Sequence, residues 1–180
     1  MSSQIMQNDI PVCVAGMEIR KAVKADFPVI LALYERARAF MAENGNASQW
    51  GTANPPEALI ARDIEEGKSY VCMADGKIAA VFYFAVERDP TYTVISGAWL
   101  NDAPYGVVHR LASDGSTRGA GTFCLQWALC QCGNIRIDTH RDNRPMQNLL
   151  VKLGFSRCGT ITIADGTERI AFQKWTRTKQ

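Results

Sequence analysis

The sequence lacks a long apolar segment and a strong net charge, and each absence excludes a class of protein. The longest apolar stretch, around 79–86, is far too short to span a bilayer, and the first residues lack the charged start and apolar run of a signal peptide. Twenty basic and 18 acidic residues leave a net charge of +2, too small for a broad field that attracts nucleic acid or a membrane surface. We therefore expect a cytoplasmic protein without a nucleic-acid or membrane partner, in which any anion site is local.

Paired cysteines are also absent. None of the six cysteines forms a C-x-x-C pair, and Cys124, Cys130 and Cys132 lie in an apolar segment, where free cysteine packs as a small hydrophobe. A zinc site of Cys130, Cys132 and one of the two histidines has no standard ligand spacing, so we predict buried thiols and no metal. The length of 180 residues suits one domain, which we place at 17–176 between an N-terminal tail or edge at 1–16 and a C-terminal tail at 177–180.

Apolar periodicity predicts helices and antiparallel strands in the first half of the chain. Repeats of helical spacing favour an amphipathic helix over 27–41, and a second, short helix over 57–66 follows a loop rich in Gly, Asn and Pro. Strand-like runs at 70–74 and 78–86 flank Asp75 and Gly76, the pair preferred by a two-residue type I′ hairpin turn. Asp165 and Gly166 repeat the same pair between runs at 161–164 and 169–172. Two tight hairpins predict that much of the sheet is antiparallel.

A different unit separates the two hairpins. It consists of a strand over 106–112, a loop of small residues, a helix over 119–131 and a strand over 134–139. A strand, a helix and a strand in that order usually form a right-handed parallel crossover. A further helix over 144–152 ends before Gly154, which suits a C-cap.

The loop of the crossover unit carries the strongest indication of chemistry. Small residues cover the point where loop becomes helix, so several backbone N–H groups are free of overlying side chains; the segment reads Asp114, Gly115, Ser116, Thr117, Arg118, Gly119, Ala120, Gly121, Thr122. The positive end of a helix favours an anion, and Thr117, Arg118 and Thr122 supply further donors. The alternative is that Gly119 and Gly121 only allow close packing of the helix on the sheet.

This segment resembles the signature R/Q-x-x-G-x-G/A of the GNAT superfamily of N-acetyltransferases, which grips the pyrophosphate of acetyl-CoA. The match runs from Ser116 to Gly121, and Ser116 stands where Arg or Gln is usual. The family's second stretch, N-x-x-x-x-x-L-Y-x-K-x-G-F, is matched at five positions, namely Asn143, Leu149, Lys152, Gly154 and Phe155. The similarity covers about 17–175. It implies a mixed α/β (α+β) fold with a mostly antiparallel sheet of six or seven strands, a splayed parallel strand pair and flanking helices.

The resemblance also implies a cofactor site for acetyl-CoA as co-substrate. A main-chain N–H near Leu111 or Ala112 would polarise the thioester oxygen, and Asn143 would lie near the pantetheine arm unless it only caps a helix. Leu150 departs from the family, because many members carry a tyrosine there that protonates the departing thiolate. The implied cofactor-binding residues are Leu111, Ala112, Ser113, Ser116, Thr117, Arg118, Gly119, Ala120, Gly121, Thr122 and Asn143.

Acetyl transfer to an amine requires a neutral amine, yet an ammonium of pKa about 10.4 is deprotonated only about once in 2,500 molecules at pH 7. A positioned base is therefore expected. His109 is the first candidate, because it lies in the central strand with Val107 and Tyr105 on its face; the alternative is a partly buried histidine with a satisfied hydrogen bond. Asp138 and His140, at the end of the next strand, are the further catalytic candidates.

The acceptor is expected to be a primary amine of a small molecule or peptide, bound by a monomer or a homodimer. Its pocket would be formed by Gln49 and Trp50 of the long loop with Trp99 and Tyr105 before the central strand, since variable loops carry specificity. Two alternatives stay open. One is a non-catalytic acyl-CoA sensor or interaction module, and the other is an NAD-dependent oxidoreductase, against which Cys124 in the place of the third glycine counts.

Overall fold

A computed structural model describes residues 16–176, which form eight strands and five α-helices. The predicted tails at 1–16 and 177–180 lie outside the described residues, apart from Gly16. The strands are β1 Met17–Lys21, β2 Ser69–Ala74, β3 Lys77–Val86, β4 Ser96–Gly97, β5 Gly106–Ser113, β6 Asn134–Thr139, β7 Ser156–Thr162 and β8 Glu168–Trp175. The helices are α1 Phe27–Glu43, α2 Ala47–Trp50, α3 Glu57–Glu65, α4 Ala120–Cys132 and α5 Arg144–Lys152. In this part of the chain, no helix has the length and apolar character needed to cross a membrane.

The strands form one sheet in the order β1-β2-β3-β5-β6-β8-β7-β4. Neighbouring strands are antiparallel throughout, except for β5 and β6, which are parallel. This confirms the predicted mixed α/β fold with a mostly antiparallel sheet and one parallel pair. The described sheet has eight strands rather than six or seven because β4 pairs with β7 over two residues only, too few to leave a periodic signal in the sequence.

Helices cover both faces of the sheet, and β3 is therefore buried on both sides. Val81 packs in a cluster with Ile30 and Leu33 of α1, whereas Phe82 packs with Phe123 of α4. Successive residues of a strand point to opposite faces, so α1 and α4 lie on opposite faces. The apolar run of β3 is the pattern of a central strand covered on both sides.

The two hairpins differ in their turns. Asp75 and Gly76 both have positive φ, at 49° and 73°, as a type I′ turn between β2 and β3 requires. The same turn was predicted at Asp165 and Gly166, and there the prediction is wrong, although the hairpin of β7 and β8 is present. Only Gly166 has a positive φ, of 83°, because the carboxylate of Asp165 accepts hydrogen bonds from Thr167 and holds a longer connection.

Candidate active site

The two parallel strands meet at one end only. Their pairing is limited to Gly106 opposite Ile135 and Val107 opposite Arg136, although β5 continues to Ser113 and β6 to Thr139. Gly106 is required at this junction, since a Cβ there would lie 2.8 Å from the Cys132 sulfur and from a ring carbon of Phe84. Beyond the junction the strands separate, and a cavity of about 570 Å³ lies at their diverging ends.

A β-bulge in β5 faces this cavity. The pairing of β5 with β3 steps from His109 opposite Tyr83 to Ala112 opposite Val81, so Arg110 and Leu111 together lie opposite a single residue. Arg110 has a φ of 53°, a conformation that non-glycine residues rarely adopt. A bulge leaves an extra residue out of the ladder and re-aims its neighbours. The predicted N–H donor region at Leu111 and Ala112 therefore coincides with an irregularity of the strand, and Leu111 lines the cavity.

Three side chains hold the bulge from one face of the sheet. The Arg110 guanidinium donates to Asp63 Oδ2 from Nε at 3.1 Å and from Nη2 at 2.6 Å, and it stacks on the ring of Tyr83 with its Cζ 4.7 Å from the ring centroid. The hydroxyl of Tyr34 donates to the Arg110 carbonyl at 3.0 Å. Burial raises the pKa of Asp63 and outweighs the opposing effect of Arg110. The strained residue is thus held by contacts from α1, α3 and β3.

Replacing Asp63 with Ala is expected to lower the free energy of unfolding by about 3 kcal/mol, because it leaves the Arg110 charge half-buried and unpaired. Urea denaturation measures the effect. Arg62→Ala is the matched control on the same helix, since Arg62 is exposed and its ion pair with Glu66 is long, at 4.0 Å, so a change within about 0.5 kcal/mol is expected. Equal effects of the two substitutions would contradict the role given to Asp63.

His109 projects into the cavity and is bound to a carboxylate. Its Nε2 lies 2.6 Å from Oδ2 of Asp89, a residue that follows β3. The other oxygen of Asp89 accepts hydrogen bonds from the backbone N–H and the hydroxyl of Thr91. Burial favours the neutral acid, but the hydrogen bonds from His109 and Thr91 outweigh it and lower the pKa of Asp89 to about 2. Asp89 is therefore an anion at neutral pH.

The charge of Asp89 determines which nitrogen of His109 carries a proton. A carboxylate can only accept hydrogen bonds, so Nε2 donates to Asp89 and Nδ1 of the neutral ring keeps its lone pair. Nδ1 lies 3.9 Å from Oδ1 of Asp138, and this same oxygen accepts a hydrogen bond from the hydroxyl of Tyr92 at 2.7 Å. Burial, with the charge of Asp138, raises the pKa of Tyr92 well above its ordinary value. In the neutral ring, Nδ1 is thus the nitrogen that can accept a proton, and it lies beside the carboxylate of Asp138.

The start of α4 is open, as a diphosphate site requires. Gly119 has a φ of 85°, and a Cβ built on it would meet no atom within 4 Å. The backbone N–H groups of Gly119, Gly121 and Thr122 donate to no described residue. Three unpaired amides at the positive end of a helix suit an anionic group. Side chains do not plug this entrance in the described chain.

The preceding loop is shaped by Asp114. Its carboxylate accepts from the backbone N–H of Ser116 at 3.0 Å and of Thr117 at 3.3 Å, and from the Ser116 hydroxyl at 2.5 Å. These two amides are therefore engaged within the loop, which differs from the expectation that they donate to a ligand. Arg118 is exposed. The free amides lie after Thr117 and include those of Gly119, Gly121 and Thr122.

A second cavity connects the loop with the splayed strands. It has a volume of about 240 Å³ and is bordered by Ser113, and it shares Asn143 and Met146 with the large cavity. Asn143 caps a helix, the alternative considered from the sequence, and it also lines both cavities. Its Oδ1 accepts from the Met146 N–H at the start of α5, and its Nδ2 donates to Gln49 Oε1 at 3.0 Å. The two cavities therefore adjoin at Asn143 and Met146, between the loop at 113–115 and the cavity that His109 lines.

The four acceptor-site candidates separate into two groups. Gln49 and Trp50 line the large cavity. Trp99 and Tyr105 lie behind its wall, where their rings contact the buried Arg136 guanidinium at 4.4 and 4.0 Å from the ring centroids. Tyr105 also accepts a hydrogen bond from the Asp89 N–H. These two aromatic residues are therefore packing partners of Arg136 rather than cavity residues.

Two further positions bear on catalysis. His140 does not join His109 and Asp138, because it lies in a separate cavity of about 370 Å³. Burial, together with the charge of Arg169, lowers the pKa of His140. Leu150 is fully buried in the core that includes Phe155, so this position offers no acid to a departing thiolate.

Sequence reasoning missed Asp89 and Asp63. Both are single acidic residues without a motif: Asp89 lies in a loop, and Asp63 on an otherwise amphipathic helix. The one available signal was the segment Asp89, Pro90, Thr91, whose acidic residue caps a short turn. Sequence spacing does not indicate the partner of either carboxylate. Asp89 lies 20 residues from His109, and Asp63 lies 47 residues from Arg110.

Comparison with known proteins shows which family of proteins this chain resembles. No family model and no curated protein matches the chain, whereas solved structures do. An acetyltransferase of the GNAT family from Streptococcus agalactiae shares 32% identity over 90% of this chain and 96% of that chain, with a TM-score of 0.82. A GNAT family acetyltransferase from Listeria monocytogenes shares 18% identity over 91% and 99%, with a TM-score of 0.67. The ribosomal-protein-S18-alanine N-acetyltransferase from Escherichia coli shares 17% identity over 91% and 96%, with a TM-score of 0.61.

The fold and the splayed strand pair are those of an acetyltransferase. At the identity and coverage found for the streptococcal structure, this chain belongs to the GNAT family. The other two structures, being less similar, agree in fold alone. In the described residues, no group of three or more His, Cys, Asp or Glu side chains is placed to hold a metal ion.

Proposed function

We propose that the protein transfers an acetyl group from acetyl-CoA to a primary amine by direct attack, without a metal. The observation that supports this proposal is the position of His109 in the cavity of the splayed strands, where its Nδ1 faces Asp138, in a chain whose α4 start carries free amides at Gly119 and Gly121. Acetyl-CoA supplies the activated thioester when it is bound. The free amides of the α4 start hold its diphosphate, and Asn143 borders its pantetheine arm.

The residues of the cavity prepare the amine. Asp138 attracts the incoming ammonium, because its carboxylate faces the cavity beside His109. Nδ1 of His109 accepts a proton from the ammonium, and Asp89 stabilises the imidazolium that forms through its bond to Nε2. The neutral amine then forms a C–N bond with the thioester carbon while the C–S bond breaks. A main-chain N–H near Leu111 or Ala112, beside the bulge, donates to the carbonyl oxygen as its negative charge develops.

The departing thiolate does not require an acid at Leu150. A thiol has an ordinary pKa of about 8.5, so its anion is a reasonable leaving group near neutral pH. The sulfur takes the second proton, which the attacking nitrogen loses as the amide forms, and the proton held by His109 passes to water. Location in the cytoplasm and the assignment of 17–176 to one domain belong to the same proposal.

Thermal unfolding with and without ligand tests the cofactor. Acetyl-CoA at 100 times its dissociation constant is expected to add about 2.7 kcal/mol, which raises the Tm of a domain of this size by about 5 to 10 °C. NAD at the same concentration is expected to leave the Tm unchanged. Stabilisation by NAD alone would instead support a dehydrogenase.

Release of thiol from acetyl-CoA in the presence of an amine panel tests the reaction. Amine-dependent release is expected, because the cavity contains both a base and an ammonium-binding carboxylate. Stabilisation by acetyl-CoA without turnover of any amine would indicate a sensor or interaction module of the same fold. Leu150 is the feature that favours this second function.

A further inference from the structure

The cavity wall contains a buried cation that the proposed reaction does not use. Arg169 of β8 borders the 570 Å³ cavity together with Asp138 and His109, and only 6% of its surface is exposed. A buried charge without a partner is costly, and such groups are normally paired. Among the described residues, however, Arg169 forms no ion pair with a carboxylate.

The Arg169 guanidinium forms hydrogen bonds through one nitrogen only. Nη1 donates to the Thr167 hydroxyl at 2.7 Å and to the Glu168 carbonyl at 3.1 Å. Nε and Nη2 donate to no described residue. They are not sealed off either, because the sealed and unbonded side-chain atoms of the described chain belong to Asn46, Asn101, Arg136 and Thr139. Two accessible donors on a held planar group fit the two oxygens of a carboxylate or phosphate.

An acidic residue of the same cavity wall does not satisfy the charge. Asp165 borders the same cavity. The hydrogen bond from Thr167 is the main cause that lowers the pKa of Asp165, and the charge of Arg169 adds to it. The carboxylate of Asp165 is nevertheless bound to the backbone and hydroxyl of Thr167 rather than to Arg169.

The sheet register places Arg169 close to the amine-binding groups. Ala171 of β8 pairs with Asp138 of β6, and Arg169 lies two residues before Ala171 on the same face. Diagonal neighbours of this kind have Cβ atoms about 7 to 8 Å apart. One small molecule can therefore reach both side chains with groups separated by a few bonds.

We infer that the acceptor is an amine carrying an oxyanion, which Arg169 binds through Nε and Nη2 while Asp138 and His109 receive the amino group. This inference rests on the proposed function and names the class of acceptor for it. The oxyanion is a carboxylate or a phosphate, and the acceptor is a small zwitterion such as an amino acid.

Matched acceptors test the inference on the unmodified protein. We expect kcat/KM for gamma-aminobutyrate to exceed that for its amide by about 30-fold, because the amide leaves the buried guanidinium without its charged partner. Putrescine, with a cation in place of the carboxylate, is expected to be poorer still. Phosphoethanolamine compared with ethanolamine shows whether phosphate is preferred. Equal kcat/KM for each charged and neutral pair would overturn the inference.

Variants locate the effect. Arg169→Gln is expected to remove the preference, so that the ratio of kcat/KM for gamma-aminobutyrate to that for its amide falls to about one. Arg157→Gln is the control, because Arg157 is exposed and borders the neighbouring 370 Å³ cavity, as Arg169 also does, but not the 570 Å³ cavity, so the preference is expected to remain. Loss of the preference in Arg157→Gln but not in Arg169→Gln would show that the anion is bound elsewhere.

A binding measurement separates failure of the inference from failure of the proposed function. Butyrate, which has no amine, is expected to raise the Tm of the unmodified protein, whereas butyramide is not. This readout needs neither turnover nor a folded variant. Absence of turnover with every amine would refute the proposed function, while equal effects of butyrate and butyramide would refute the anion site.

Discussion

Replacing Gly119 with Leu is expected to abolish the stabilisation that acetyl-CoA gives. The side chain would enter the space over the free amides of Gly121 and Thr122, which the diphosphate needs. Nothing in the folded chain opposes it sterically, since no atom lies within 4 Å of a Cβ built there. The loss is therefore one of binding, at least about 100-fold, and the Tm rise of about 5 to 10 °C disappears.

The backbone strain of this substitution has a matched control. Gly119 has a φ of 85°, and a side chain in that conformation costs about 1 kcal/mol of stability. Gly76, in the turn between β2 and β3, has a φ of 73° and likewise an open Cβ position. Gly76→Leu should lower the Tm without ligand by a similar amount and keep the response to acetyl-CoA. If Gly119→Leu retains that response, the diphosphate does not bind at the α4 start.

Regular elements were predictable because their information is local. The bounds of β6 and α5 agree with the sequence prediction residue for residue, since periodic apolar residues and a terminal glycine define both. The Asp75 and Gly76 turn was predicted for the same reason. Asp165 and Gly166 have the same composition, but Thr167 provides side-chain and backbone donors that hold a longer turn. The Asp-Gly pair alone therefore does not distinguish the two turns.

The site was predictable only in part. His109 was proposed from alternation along the central strand and Asp138 from its position at the end of the next parallel strand, and both line the large cavity. His140 follows the same alternation, but it stands beyond the end of β6, where the chain turns away and the rule no longer holds. Asp89 and Arg169 were missed, since one lies in a loop and the other on β8, and only the folded sheet brings them to this cavity.

Replacing His109 with Gln is expected to lower kcat/KM for an amine acceptor by 10²- to 10⁴-fold at pH 7, the range typical for loss of a general base. Deprotonating an ammonium of pKa about 10.4 at pH 7 costs about 4.6 kcal/mol, and the variant must take its neutral amine from solution. The Tm rise with acetyl-CoA should be unchanged, because His109 lies away from the diphosphate donors. Activity and ligand response together separate loss of the base from loss of the cofactor site.

The pH dependence distinguishes a base from a residue that only shapes the cavity. The neutral fraction of the amine grows tenfold per pH unit below its pKa, so the deficit of His109→Gln should shrink steadily between pH 7 and pH 10 as solution supplies the amine that the enzyme no longer prepares. His140→Gln is the control, since the second histidine lies in another cavity, and its kcat/KM should stay within about twofold of the unmodified value. A deficit in His109→Gln that is the same at pH 7 and pH 10 would mean that Nδ1 takes no proton, and the ammonium would then lose its proton before it reaches Asp138.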